Sequence, residues 1–150
     1  MPSRYFEDFT VGQEWNFDPW ILDEPSVIAF AAQYDPQPMH TDPVAAADGP
    51  YGCVIASGWQ TALNCVAPFL DAVMKDTAGL ASPGFETIQW LKPVRAGQPI
   101  RPQVRVLEKR QSKSKPDRGL VKFQMSGLDE DGEPVWLVEG PFFILLRPED

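Results

Sequence analysis

The sequence predicts an α+β fold in which an antiparallel β-sheet wraps around one long central α-helix. Apolar residues after Gly58 recur at helical spacing, and from Phe85 onward the hydrophobic period changes to two. A long apolar helix that is followed by a sheet must bury its apolar stripe against that sheet. The 150 residues, of which 43% are hydrophobic, suffice for one domain with its own core. We therefore expect residues 1–150 to form a single domain.

Two helices are predicted in the first half of the chain. The stretch "DEPSVIAFAAQY" begins a short helix with Asp23 as its N-cap, and this helix ends near Tyr34 because Pro36 disfavours helical geometry at the preceding residue. The long helix begins after Gly58, and Pro68 predicts a bend or a restart within it, since an interior proline costs about 3 kcal/mol. Its expected buried face consists of Trp59, Ala62, Leu63, Val66, Leu70, Val73 and Met74.

Four strands are predicted in the second half, in the stretches "FETIQWL", "PQVRVLEK", "LVKFQMS" and "VWLVEGPFFILL". In the third of them Val121, Phe123 and Met125 share one face, which we expect to be buried. The segment "SKSKPDRG" closes one pair of strands, and the Asp-Gly turn in "LDEDGEP" closes the next. The sequence therefore predicts an antiparallel meander.

Composition and charge narrow the possible function. The formal net charge of −8 argues against nucleic acid or an anionic membrane as a partner. The apolar runs are too short to span a membrane and the N-terminal stretch is polar, so we expect a cytoplasmic protein. Cys53 and Cys65 lack the spacing of a metal site and are predicted to be buried free thiols. The chain contains no glycine-rich nucleotide-phosphate motif.

The stretch "YDPQPMHTDP" contains the only histidine of the chain. Asp35 and His40 are five residues apart in it, and Pro36 and Pro38 restrict the backbone between them. A histidine can take and return a proton near neutral pH, and a nearby carboxylate can orient it or share a water with it. The spacing suits an acid/base pair, but it equally allows an Asx turn at Asp35 with His40 packed at the base of the loop.

Two further stretches have the pattern of helix N-termini. Asp42 is expected to be the N-cap of "PVAAAD", with Pro43 at the first helical position. In "ASGWQTALN", Ser57 and Gly58 directly precede the long helix. A glycine there lets backbone N–H groups face a ligand, and a helix N-terminus favours developing negative charge, as on the oxygen of a reacting carbonyl compound. An N-cap serine in a tight turn explains the same residues without a ligand.

The motif "YDPQPMHTDP…GPYGCVIASGW" resembles that of the MaoC-like dehydratases, the group that contains the R-specific enoyl-CoA hydratases. Their signature is a D-x-N-P-x-H loop followed by a small residue and a glycine that open the central helix. The stretches "RYFEDFTVGQEW" and "WLKPVRAGQPI" are also similar to this family, so the resemblance covers most of the chain.

The resemblance implies a hotdog fold, in which an antiparallel sheet wraps a central helix, and a homodimer or a dimer-based assembly. It also implies a lyase of fatty acid metabolism that adds or removes water across C2–C3 of an enoyl-CoA or (R)-3-hydroxyacyl-CoA thioester, with no cofactor. Asp35 and His40 would hold the water. Gly58 would polarise the thioester carbonyl, because an enolate-like oxyanion needs a donor where charge develops.

Three positions differ from the family pattern. Gln37 stands where asparagine is usual, Ser57 where histidine is frequent, and Val66 where some relatives carry a serine that supports the aspartate. We assign Gln37 and Ser57 to substrate binding, together with Lys113 and Lys115 of the basic segment 109–118, which would contact CoA phosphates unless that segment is only a solvated hairpin tip. A hotdog acyl-CoA thioesterase and a non-catalytic acyl-CoA-binding hotdog protein are the alternative functions.

Overall fold

The computed structural model describes residues 1–149. The α-helices are α1 (Glu24–Tyr34), α2 (Pro38–Thr41), α3 (Pro43–Ala47) and α4 (Gly58–Ala72). The strands are β1 (Glu14–Asn16), β2 (Thr87–Trp90), β3 (Arg101–Gln111), β4 (Arg118–Leu128) and β5 (Pro134–Leu145). Short 3-10 helices span Phe6–Asp8 and Met74–Asp76.

Within residues 1–149, five strands form one antiparallel sheet in the order β1-β3-β4-β5-β2. The predicted hairpins between β3 and β4 and between β4 and β5 are confirmed. The prediction of four strands in one meander is wrong in two respects. It missed β1, whose three residues are too few for a periodic pattern. It also placed β2 beside β3, whereas β2 crosses to the opposite edge and pairs with β5.

The helix N-termini form as their local sequences predict. Asp23 accepts a hydrogen bond from the backbone N–H of Ser26 at 2.8 Å and caps α1. Asp42 accepts from the N–H groups of Val44 and Ala45 and caps α3. A cap of this kind needs only residues within three positions of each other, so the local sequence suffices to specify it.

The predicted buried face of α4 is confirmed for Ala62 and Val73, which are buried, and wrong for three of its larger residues. Trp59 and Leu63 are 55% and 60% exposed, and Leu70 is also exposed. Beside Ala62, the buried side of the helix carries Thr61, Cys65 and Phe69, which the prediction did not include. Both sets of residues have helical spacing, and only the position of the sheet decides which of them is buried. The helix continues through Pro68 as one element, so the predicted restart is also wrong.

The core lies between α4 and the concave face of the sheet, with Phe123 of β4 at its centre. The predicted burial of Val121, Phe123 and Met125 is confirmed, since all three are 0% exposed. The ring of Phe123 lies 5.1 Å from that of Phe69 on α4, between ring centroids, and 5.6 Å from that of Phe9. These contacts fix α4 against the sheet and thereby fix the position of its N-terminus.

Both cysteines are free thiols, but only Cys65 is buried, and burial raises its pKa to about 12. Cys53 is half-buried, so the prediction that both are buried is wrong for this residue. In the described part of the chain, no helix combines the length and the apolar character needed to cross a bilayer.

Replacement of Phe123 by alanine should lower the free energy of unfolding by about 3–5 kcal/mol, because it leaves a cavity between α4 and the sheet. Chemical denaturation measures this change. Phe123→Leu keeps most of the volume and should cost less than about 1.5 kcal/mol. Equal losses for the two variants would contradict this account of the core.

Candidate active site

His40 lies on α2, a single helical turn that begins at Pro38. Its side chain is buried, and its Nδ1 atom lies 2.7 Å from the backbone carbonyl oxygen of Ile55. Because a carbonyl oxygen only accepts hydrogen bonds, Nδ1 carries the proton and donates. The Nε2 atom of the imidazole is therefore the one that faces Asp35, with its Oδ2 atom 3.4 Å away. The structure brings the two predicted acid/base residues together.

Asp35 is the C-cap of α1, and each of its two carboxylate oxygens accepts a hydrogen bond. The side-chain amide of Gln37 donates to Oδ1 at 2.7 Å, and the hydroxyl of Ser57 donates to Oδ2 at 2.7 Å. These donors are side chains, so the alternative of an Asx turn at Asp35 is wrong. The hydrogen bonds from Gln37 and Ser57 lower the pKa of the Asp35 carboxyl, with a smaller contribution from the charge of His40. Asp35 is therefore an ionised carboxylate at neutral pH.

Gly58 is the first residue of α4, directly after the N-cap Ser57. Its backbone N–H has no hydrogen-bond partner within residues 1–149, as is usual in the first turn of a helix. The indole of Trp90 packs over this glycine so closely that a β-carbon at position 58 would lie 2.5 Å from Nε1. No larger residue fits here without displacement of Trp90.

These residues open onto a pocket of about 520 Å³. Asp35, His40 and Gly58 all line it, and its apolar walls include Trp59, Trp90 and Val94. The rings of Trp59 and Trp90 meet edge to face with their centroids 5.0 Å apart. The pocket therefore combines a carboxylate, an imidazole and the N-terminus of a helix with an apolar lining, as ligand sites commonly do.

Comparison with known proteins shows the family of this chain. The family model described as "MaoC like domain" matches residues 8–124. The chain belongs to the MaoC-like domain family. The MaoC-like dehydratase of Rhodospirillum rubrum has a similar structure, with a TM-score of 0.86, 30% identity, and coverage of 97% of this chain and 99% of that one.

Two further relatives extend the comparison. YdeM of Bacillus subtilis, an uncharacterized protein, is 24% identical over 141 residues, which are 94% of this chain and 97% of YdeM. The R-hydratase PhaJ1 of Pseudomonas aeruginosa is 22% identical with a TM-score of 0.76, and the match covers 95% of this chain and 86% of PhaJ1. The hotdog fold expected from the sequence is confirmed, as a five-stranded antiparallel sheet wrapped around α4.

The structure separates the predicted substrate-binding residues of this MaoC-like chain. Gln37 and Ser57 both contact the Asp35 carboxylate. Lys113 and Lys115 lie outside the pocket, in the hairpin between β3 and β4. Beside this hairpin Arg118 pairs with Leu145, whereas Trp90 at the pocket pairs with Trp136 near the other end of β5. At about 3.4 Å per residue, Trp136 and Leu145 are roughly 30 Å apart along β5. Neither lysine is among the residues that line the pocket, and their contact with CoA phosphates stays a prediction.

Sequence reasoning missed the two tryptophans and Lys92 as pocket residues. Trp59 has the helical spacing of a core residue and Trp90 the period-two spacing of a strand residue, so neither pattern indicates a pocket. Lys92 lines the pocket rim and forms an ion pair with Asp129 at 3.0 Å. The position of Trp59 directly after Gly58 is the one local signal that would have indicated a pocket residue. No group of three or more potential metal ligands occurs within residues 1–149.

Substitution of Gly58 by alanine should displace the indole of Trp90, because the new methyl group overlaps it. We expect a changed near-UV circular dichroism spectrum, since the edge-to-face pair with Trp59 is disturbed. Gly79→Ala is the matched control, because a β-carbon there meets its nearest neighbour at an ordinary 3.4 Å. A Gly58→Ala spectrum identical to that of the wild type would contradict the close packing of Trp90.

Proposed function

We propose that this protein is a hydratase/dehydratase that adds or removes water across C2–C3 of an enoyl-CoA or (R)-3-hydroxyacyl-CoA thioester. One observation carries the proposal. The Asp35 carboxylate and the Nε2 atom of His40 lie 3.4 Å apart in a pocket that is also lined by Gly58, the first residue of α4. Membership of the MaoC-like family supports it, as does the fold shared with the R-hydratase of Pseudomonas aeruginosa.

The acid/base pair is suited to binding and activating a water molecule. The Asp35 carboxylate is an acceptor, and so is Nε2 of a neutral His40 whose Nδ1–H is directed to Ile55. A water beside both groups can donate a hydrogen bond to each and direct its oxygen lone pair toward C3 of the substrate. As the oxygen–C3 bond forms, one of the two groups takes a proton from the water, and this proton is then available for C2.

The N-terminus of α4 is suited to stabilising the charge that this step creates. Attack at C3 shifts the C2=C3 electron pair toward the thioester oxygen and produces an enolate-like oxyanion. The N–H of Gly58, at the positive end of a 15-residue helix, supplies a donor and a dipole at that oxygen. Return of the proton to C2 completes the hydration. No electrons leave the substrate, so we expect the reaction to need no cofactor.

We propose in addition that the protein is a homodimer formed through β2. This strand is at the edge of the sheet, and Phe85, Ile88, Trp90 and Leu91 beside it are 39–51% exposed. Natural proteins usually cover such an apolar edge, because its unpaired backbone groups invite association. The complex of HadB and HadC from Mycobacterium tuberculosis, which has the same fold at 20% identity, is an assembly of this kind of chain.

The Ile88→Lys variant should shift the molar mass in solution from dimer to monomer, because it introduces charge into the proposed interface. Light scattering coupled to size-exclusion chromatography measures this. Val11→Lys is the matched control, since Val11 is 57% exposed and far from β2 in the fold. A wild-type protein with the mass of a monomer would contradict the proposed dimer.

Asp35→Asn and His40→Gln should each lower the rate of crotonyl-CoA hydration at least about 10²-fold, because each removes a proton acceptor from the pair. Asp48→Asn, an exposed carboxylate-to-amide change, is the control and should leave the rate unchanged. Circular dichroism and thermal melting would show whether the variants remain folded. Near-normal hydration by both active-site variants would overturn the proposal.

Two other results with the wild-type protein would also overturn it. Release of free thiol from saturated acyl-CoA without hydration of enoyl-CoA would indicate a thioesterase. Tight binding of enoyl-CoA esters without turnover at any chain length would indicate a non-catalytic binding protein.

A further inference from the structure

The Asp35 carboxylate is held by two residues that differ from the family pattern given above. We propose that Ser57 and Gln37 are positioning residues, which fix the Asp35 carboxylate toward His40, and that Ser57 also joins this acid/base pair to the N-terminus of α4. The inference rests on the proposed function for its catalytic consequence. On this proposal both residues act on Asp35 and not on the substrate, in contrast to the substrate-binding role expected from the motif.

Ser57 has a geometry that leaves its hydroxyl little freedom. The side chain is fully buried, and Oγ lies 2.7 Å from Oδ2 of Asp35. The same Oγ accepts a hydrogen bond from the backbone N–H of Trp59 at 3.3 Å. A hydroxyl has one proton, and since an N–H and an ionised carboxylate surround it, that proton must go to the carboxylate. One atom therefore caps α4 and orients Asp35.

This arrangement couples the two parts of the candidate site. Ser57 is the residue directly before Gly58, which lines the pocket. Asp35 and the proposed oxyanion donor are consequently linked through one buried side chain and one peptide bond. At Val66, where some relatives carry a supporting serine, this chain has a half-buried apolar side chain packed against the core. The hydroxyl that supports the aspartate comes from the N-cap of α4 instead.

Gln37 holds the other carboxylate oxygen from the opposite side. Its Nε2 atom donates to Oδ1 of Asp35 at 2.7 Å, and its backbone N–H donates to the backbone carbonyl oxygen of Asp35, also at 2.7 Å. Gln37 is also the N-cap residue of α2, and its carbonyl oxygen accepts from the N–H of His40 at 2.9 Å. The residue thus contacts both members of the pair, one through its side chain and the other through its backbone.

With a donor on each oxygen, the carboxylate cannot rotate freely about its Cβ–Cγ bond. Hydrogen bonds to the charged form of a carboxyl also favour ionisation, and the lowered pKa of Asp35 agrees with this. Removal of either donor should raise that pKa toward its ordinary value. A purely structural role for Ser57 or Gln37 would leave the titration of Asp35 unchanged.

The experiment compares Ser57→Gly and Gln37→Ala with the wild-type protein. Glycine is tolerated at an N-cap at a cost of only a few tenths of a kcal/mol, so Ser57→Gly removes the hydroxyl and largely spares the cap. Gln37 is exposed, and its truncation should not affect folding. Gln33→Ala, an exposed glutamine on α1, is the matched control.

Two measurements decide the result. In the absence of substrate, the carboxyl 13C resonance of Asp35 should titrate at higher pH in Ser57→Gly and in Gln37→Ala than in the wild type. In Gln33→Ala it should titrate at the same pH as in the wild type. With enoyl-CoA, kcat should fall about tenfold in each of the two variants, with KM little changed, and the acidic limb of the pH profile should move to higher pH. Thermal melting would verify that the variants are folded.

The outcomes separate this inference from the proposed function. An Asp35 titration that is unchanged in both variants would overturn the positioning role, whatever the activity. A shifted titration together with normal kcat and an unmoved pH profile would overturn it as well, because the position of the Asp35 carboxylate would then have no effect on catalysis. Absence of hydration by the wild type would overturn the proposed function, and the substrate-free titration would still show whether the two donors hold Asp35.

Discussion

The packing of α4 against the sheet is the constraint on which the candidate site depends. Phe69 and Cys65 are almost fully buried on the inner side of this helix, and Phe69 contacts the ring of Phe123 on β4. A close-packed interior resists displacement, so the helix has one position relative to the sheet. Its first residues, Ser57 and Gly58, are thereby held at the edge of the core, where Gly58 lines the pocket.

The segment that carries His40 is fixed to this helix by hydrogen bonds rather than by a core of its own. The helix α2 has only four residues, and such a short helix is not stable in isolation. The hydrogen bond from His40 to Ile55 connects α2 to the stretch that leads into α4, and the bond from Ser57 to Asp35 connects this stretch to the end of α1. Proline at position 38 restricts the backbone of this segment and reduces the entropy lost when it becomes ordered. The acid/base pair therefore gains its rigidity from its neighbours.

Local features were predicted well because their physical causes are local. The caps at Asp23, Asp42 and Ser57 each require an acceptor and an N–H two or three residues away, and all three form. The predictions that were wrong concern features that depend on a contact with residues distant in sequence. Helical spacing in α4 was correct, but the choice between two apolar stripes depends on where the sheet lies. Strand β2 had the right residues, but its pairing with β5 is a matter of topology.

The sequence by itself determined the loop that holds Asp35 and His40, the helix that follows Gly58, and the strands with period two, because these depend on residue type and short spacing. The motif also identified the family. Tertiary structure alone decided that Ser57, 22 residues from Asp35 in the chain, donates to its carboxylate. It likewise placed Trp90 over Gly58 and left Lys113 and Lys115 at the far end of the sheet. Contacts between residues distant in sequence arise when the core packs, and no local pattern encodes them.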